Sequence, residues 1–463
     1  MVLVLSILII LSFSTILILL SLKMRPSPNA DSGVRLTTLV LCIWLIASAF
    51  WGSKFFAIRF PGLIALSIDR FFFAVLVAVL LVGIYRGRVI FKPSFAIELW
   101  MLLFSVVCIA SMAIHGFNPS RLDFTSPIFV FVSGYLAPFI IFLYAKTYLS
   151  SEHDLHMVFV TVFGIGIYLA IIAFFEFFDL RQLVFPRYIN DPSVYLHLDR
   201  ARGPFLNAAF NGLAMVFAGV CGLHALSRMK GPARWIQAGL LCLFFPAVFF
   251  TQTRSVYLCF LIALVSFLFF YRTAFPKWKT FALPVALAIF LLAAGLPRLL
   301  SEERKAGGVY QIGEIQVRMA LIQMSALMIK DHPFLGVGFN QFVPAAEEDY
   351  RGRVPIPYTS EPQTQHHHII GMLVELGVLG TSFYAVILIM VLRRFYQLAD
   401  WVPQSGFMGA NMILSIAIIW TVYLTNNMFI EPTFQIYTNA VPYLLAGYCD
   451  GLYGRLSIAN PKS

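Results

Sequence analysis

An arginine stands in an otherwise neutral turn between two apolar segments, Thr251-Gln252-Thr253-Arg254-Ser255. A second, Arg318, lies in a long loop, and three consecutive histidines, His366 to His368, close that loop. A guanidinium keeps its charge and grips phosphate or carboxylate through two N–H groups. An imidazole can be neutral at working pH and take up a proton. Each residue has a plain alternative: Arg254 snorkelling at a helix end, Arg318 solvated on a surface helix, His366 capping the segment that follows. The histidines also invite a metal reading, but neighbours on a helix point about 100° apart, whereas helical ligand pairs are spaced by four. No metal site is expected. At about 100° per residue, His366 shares a helical face with Ile370, Leu373, Gly377 and Gly380, so the glycines admit a neighbouring helix beneath the histidine. Glu375 falls elsewhere, about 13 Å along, and reads as a structural hydrogen-bond partner rather than an acid.

The elements that must hold these residues are membrane spans. Of 463 residues, 60% are hydrophobic and only 12% charged, against about half and a quarter in soluble domains. A net charge of +11 suggests nucleic acid in a soluble protein. Here Lys and Arg fall in short runs between apolar segments of about twenty residues, where they orient helices, and no nucleic-acid partner is expected. Candidate spans are 2–22, 36–53, 62–84, 95–114, 127–145, 155–178, 204–226, 235–252, 255–271, 280–296, 367–392, 406–424 and 436–454, an all-α polytopic membrane bundle of about thirteen spans (12 to 14). The first reads as a retained span, since no positive charge precedes its apolar run; the last is short and interrupted by Pro442. The cysteines lie in or at the ends of apolar segments without a Cys-x-x-Cys pair, so they imply neither zinc nor a disulfide framework.

If the N-terminus is outside, Lys and Arg gather in the inner connections, as at Arg86, Arg88 and Lys92 or Arg228, Lys230 and Arg234. That places Arg254, the loop 179–203 and the long loop 297–366 on the outer face. A loop of about seventy residues is too long for a simple connection. Within it, residues 311–330 read as an amphipathic surface helix with Ile315, Met319, Ile322 and Ala326 on one face. Asp331-His332-Pro333 ends it, and Gly336-Val337-Gly338-Phe339 makes a tight turn.

In this order, the Thr-Gln-Thr-Arg-Ser turn, Arg318, the run His332 to Phe339, and His366 with Glu375, Gly377 and Gly380 resemble the O-antigen ligase and polymerase superfamily of lipid-linked glycan transferases. The likeness covers about residues 240–392. The family's loop-end motif is His, then Asn, Ser or Gln, then nine residues, then Gly-x-x-Gly; His366, Gly377 and Gly380 keep that spacing, with His367 in the second position. Which histidine acts therefore stays open.

The resemblance implies a metal-independent enzyme of the bacterial inner membrane, without a cofactor, its site on the periplasmic side. It moves a glycan from undecaprenyl diphosphate to a hydroxyl on lipid A-core, another glycan or a protein. Arg254 and Arg318 hold the diphosphate as it departs, and His366 is the base. Arg181, Arg187, Arg200 and Arg202 contact acceptor or diphosphate without one being singled out. Residues 1–239 form an N-terminal bundle, 240–392 the ligase-like catalytic region and 393–463 the C-terminal spans. Its outer loop folds as short helices over a cavity open sideways to membrane lipid. A ligase is preferred to a polymerase, which needs the same residues. A transporter, of another class, calls for polar or broken helices near the bilayer midplane, whereas the unusual polar residues here gather at one face.

Overall fold

A computed structural model describes residues 36–58, 65–87, 96–117, 126–194, 197–229, 231–270, 312–355, 364–404 and 406–459. The apolar stretches form helices, the arrangement that satisfies backbone polar groups within each segment where water is absent. In chain order they are α1 (Leu36–Phe50), α2 (Ile68–Tyr85), α3 (Ala96–His115), α4 (Pro127–Tyr148), α5 (Glu152–Phe177), α6 (Ala208–Arg228), α7 (Pro232–Phe250), α8 (Arg254–Phe270), α9 (Ile312–Asp331), α10 (His368–Trp401), α11 (Ala410–Asn427) and α12 (Ile436–Ala459). A short antiparallel hairpin, Ala57–Ile58 with Leu66–Ser67, joins α1 to α2.

Each expected span within the described residues coincides with a helix; 2–22 and 280–296 lie outside them. Among the described residues, 7 helices, α2 to α7 and α10, are long and apolar enough to cross a membrane, and α1 and α8 are shorter apolar helices. The helix α12 departs from expectation. It runs unbroken through Pro442 over 24 residues, and the Pro442 carbonyl accepts the Trp420 indole N–H at 2.9 Å.

Close backbone approach holds α12 to α4. A Cβ on Gly447 would lie 2.2 Å from the Phe142 carbonyl oxygen, and one on Gly451 2.6 Å from that of Lys146, the small-residue contact by which helices associate in lipid. At the same end, Lys146 bonds Glu98 and Asp450, and Arg394 Nε meets the other Asp450 oxygen at 2.5 Å. Each buried charge there faces an opposite one, which offsets its desolvation, and the network ties α3, α4, α10 and α12.

The opposite helix ends converge on a loop described over residues 179–194 and 197–207. Fully buried Arg202 donates to the carbonyls of Ile189, Asp191 and Val194. Glu176, at the end of α5, accepts the Gly203 N–H at 3.0 Å. Gln435, ahead of α12, donates to Phe205 O at 3.1 Å. The Ala201 N–H reaches Phe250 O, the last residue of α7, at 3.1 Å. This backbone bond brings the loop against the turn that carries Arg254.

Candidate active site

The α7–α8 turn is built from its own hydroxyls. Thr251 Oγ1 donates to Val248 O at 2.7 Å and Thr253 Oγ1 to Thr251 O at 2.8 Å. Gln252 sits at φ 47, a left-handed conformation that a side chain adopts at a cost of about 1–2 kcal/mol, and its amide oxygen is buried without a hydrogen-bond partner. Arg254 then opens α8. Arg254 itself is exposed and makes no hydrogen bond or ion pair among the described residues.

Helix α9 presents Arg318, likewise exposed and without a hydrogen bond or ion pair among the described residues. Its packing reverses the expected face. Val317, Ala320, Leu321, Met324 and Met328 are buried against Phe342, Val343, Tyr350 and Val374, while Met319 and Ile322 stand 50% and 52% exposed and Ala326 is exposed. Both sides of α9 are apolar, so periodicity alone did not select the side that the rest of the loop covers. Two other arginines among the described residues of the loop are paired: Arg351 with Glu347 and Arg353 with Asp331, both at 2.7 Å.

The three histidines diverge. The helix α10 begins at His368, not His366, and His367 is its N-cap, with Nδ1 accepting the Ile370 N–H at 3.2 Å. His368 is buried between the rings of Tyr135 and Tyr384, centroids at 5.9 and 5.6 Å. His366, half-buried, is left in the loop. Beside it, Gln365 donates to Ser325 Oγ at 2.5 Å, seven residues and so about two turns along α9 from Arg318.

The shared face of His366, Gly377 and Gly380 is thereby corrected, for a second reason as well: α10 is broken at Gly377 (φ 60, ψ −165). The turn after α9 fills the break. Val337 and Gly338 donate to the carbonyls of Val374 and Glu375 at 2.9 and 3.0 Å, and Val378 and Leu379 donate to those of Pro333 and Phe334 at 2.9 and 3.2 Å. Added Cβ atoms on Gly336 and Gly377 would lie 2.4 Å from Val374 O and 2.3 Å from Phe334 O, so both positions require glycine. The Gly377 motif thus admits a loop backbone rather than a neighbouring helix. Glu375 Oε1 accepts the Phe342 N–H at 3.3 Å.

Gly377→Ala is therefore expected to undock this turn, combining left-handed strain with a backbone clash, and to lower the thermal midpoint of the detergent-purified protein by several degrees. An added Cβ on Gly380 would also be crowded, 2.5 Å from the Leu376 Cβ, but this position carries no left-handed strain and faces no backbone oxygen, so Gly380→Ala is expected to be milder. Equal stability of Gly377→Ala and wild type would contradict the tight docking.

Electrostatics links the open groups. Burial, and then the charge of Arg318, push the His366 proton affinity down from 6.5 to about 4. Although its side chain keeps solvent contact, Arg318 is itself held below the usual guanidinium range, first by the desolvation that the surrounding protein imposes and then by Arg254, and neither shift has a carboxylate among its causes. Three groups far apart in sequence thus share one field at one end of the bundle, a ready anion site with a neutral imidazole at its edge. Sequence reasoning picked out these residues but missed the break at Gly377 and did not separate Arg200 from its neighbours. Local sequence held no signal for either, since both depend on which backbone packs alongside.

No curated protein matches the chain. Residues 238–385 match the family model described as O-antigen ligase. That stretch contains Arg254, Arg318, His366, Glu375, Gly377 and Gly380, and through it this chain carries an O-antigen ligase domain.

Proposed function

We propose that the protein is an inner-membrane glycosyltransferase that moves an oligo- or polysaccharide from undecaprenyl diphosphate to a hydroxyl acceptor on the periplasmic face. The observation that carries this reading is the grouping of two exposed, unengaged arginines with a half-buried neutral histidine. In the proposed step the acceptor oxygen attacks the anomeric carbon while the bond from that carbon to the diphosphate oxygen breaks. The hydroxyl proton passes to His366, and the departing diphosphate keeps the bonding electron pair. Its growing negative charge is stabilised by Arg254 and Arg318. Exposed apolar side chains nearby, Phe334 and Leu335 at 75% and 62% together with Met319 and Ile322, suit contact with the polyprenyl chain or membrane lipid.

A polymerase would use the same apparatus, with the growing chain as one substrate. The transporter reading gains nothing from the broken α10, because loop backbone fills the break. The test supplies the purified full chain in lipid nanodiscs with a defined undecaprenyl-diphosphate oligosaccharide and, in separate arms, lipid A-core, a second donor molecule or a protein acceptor. Glycan joined to lipid A-core with release of undecaprenyl diphosphate is expected. Growth on the carrier would assign a polymerase. No transfer in any arm, with glycolipid crossing the bilayer in proteoliposomes, would replace the reading with a transporter.

A further inference from the structure

The loop between α5 and α6 carries four arginines, and the structure separates them. Arg181 bonds Asp179 at 3.0 Å and Leu198 O at 3.1 Å, Arg187 reaches Arg181 O at 3.4 Å, and Arg202 is engaged with backbone carbonyls. Arg200 differs. Its side chain is only 11% exposed, its Nε is buried without a hydrogen-bond partner, and its closest carboxylate oxygen, on Asp199, stands 3.9 Å away, beyond hydrogen-bonding range. Native structures rarely leave a buried donor of a charged group unpaired, because the lost hydration is not recovered.

The position of Arg200 is fixed on both sides. Ala201 N–H bonds Phe250 O at 3.1 Å and Ala201 O accepts from Asn211 at 3.0 Å. Arg200 thereby lies beside the turn from Thr251 to Arg254; burial holds it below the usual guanidinium range, Asp199 and then Tyr257, one turn into α8, act against that, and the charge of Arg254 adds to it. Asp199, 3.9 Å away on the neighbouring residue, offsets the Arg200 charge without hydrogen-bonding it; the two guanidiniums still repel, and an anion between them would reverse the sign of that energy.

We propose that Arg200 is a third cation of the site, donating from its guanidinium to the diphosphate of a polyprenyl-diphosphate donor beside Arg254. This rests on the reading of the site as a diphosphate clamp. Arg254 and Arg318 then hold the group from α8 and α9, and Arg200 closes it from the loop ahead of α6. The ligand class is a lipid diphosphate, for which three cations are better matched than for a monophosphate.

The test measures binding of undecaprenyl diphosphate, undecaprenyl phosphate and inorganic pyrophosphate to the full chain in nanodiscs, for wild type, Arg200→Gln, Arg200→Lys and Arg254→Gln. Arg200→Gln is expected to weaken undecaprenyl diphosphate binding by about tenfold or more, the scale of a lost charge-assisted hydrogen bond, while changing monophosphate binding by less than about threefold. Pyrophosphate binding that falls in parallel supports recognition through the headgroup, and a loss confined to the lipid forms overturns it. Wild-type diphosphate affinity in Arg200→Gln, with a loss in Arg254→Gln, overturns the role of Arg200 and leaves the clamp standing. Wild-type affinity in both variants removes the clamp as well. Equal losses for diphosphate and monophosphate make Arg200 a support of the loop and overturn the proposal. If Arg200→Gln does not fold, Arg200→Lys decides: diphosphate affinity reduced at least about threefold with monophosphate unchanged supports the proposal, and unchanged diphosphate affinity overturns it.

Discussion

Arg254→Ala and Arg318→Ala are each expected to lower glycan transfer by about a thousandfold, the scale of removing a preorganised donor from a site of developing negative charge, without loss of fold. The second half of that expectation makes the first interpretable. Neither guanidinium has a hydrogen bond or ion pair among the described residues, so truncation leaves no protein group unpaired. Arg318 also sits in the positive field of Arg254. Removing one relieves like-charge repulsion, and the thermal midpoint is expected to stay level or rise slightly. Lysine should restore little, because it supplies a point charge without the two-pronged geometry that matches a diphosphate. Transfer rates and thermal midpoints measured on the same purified samples settle the matter. An alanine variant that transfers at the wild-type rate removes that arginine from the mechanism, and one whose midpoint collapses shows a structural arginine instead.

How much of this was legible in the sequence depends on the range of the forces involved. A span announces itself through its own composition, because lipid forces each segment to satisfy its own backbone, so the described helices fall where apolar runs predicted them. Pro442 misled because interruption at a proline is a local inference, whereas α12 is held through it by packing against α4 and α11. The buried face of α9 misled for a related reason. Met319 and Ile322 are as apolar as Leu321 and Met324, and the choice between them is made by Phe342, Tyr350 and Val374, which lie far along the chain.

The site divides in the same way. Arg254, Arg318 and His366 could be named from residue type and a family spacing, but the meaning of that spacing could not. Read as a continuous helix, His366, Gly377 and Gly380 line one face. In the structure the helix starts at His368, leaving His366 in the loop, and breaks at Gly377, where the backbone of Pro333 to Gly338 docks. The two glycine-bearing motifs are two halves of one contact, a relation no local pattern encodes. Arg200 and Arg202, two residues apart, have opposite fates for the same reason: the carbonyls of Ile189, Asp191 and Val194 surround one and not the other.

His366→Ala is expected to reduce transfer by about a hundredfold or more, the usual contribution of a positioned general base, and the pH profile identifies the cause. Burial first, and the Arg318 charge second, hold the His366 proton affinity at about 4, so the imidazole is neutral throughout the ordinary working range. The acidic limb of kcat/KM, which reports the free enzyme, is therefore expected near pH 4, well below the 6.5 of an unperturbed histidine. Bound diphosphate offsets the arginine charge and favours the imidazolium, so the limb of kcat should lie higher. Arg318→Gln removes one cause of the depression and should move the kcat/KM limb upward in its residual activity.

Linkage sets a control for this profile. Because the unfolded chain binds the histidine proton more readily than the folded one, folding stability falls as pH drops from about 6.5 towards about 4, and rates count only where circular dichroism shows folded protein. His367→Ala removes an N-cap, costing about 1 kcal/mol with little effect on transfer. His368→Ala empties a site between Tyr135 and Tyr384 and should lower folded yield rather than alter the profile. A wild-type acidic limb that persists in His366→Ala, or an inactive but folded His367→Ala beside a normal His366→Ala, assigns the proton transfer to a different group and leaves only the arginine field to this end of the bundle.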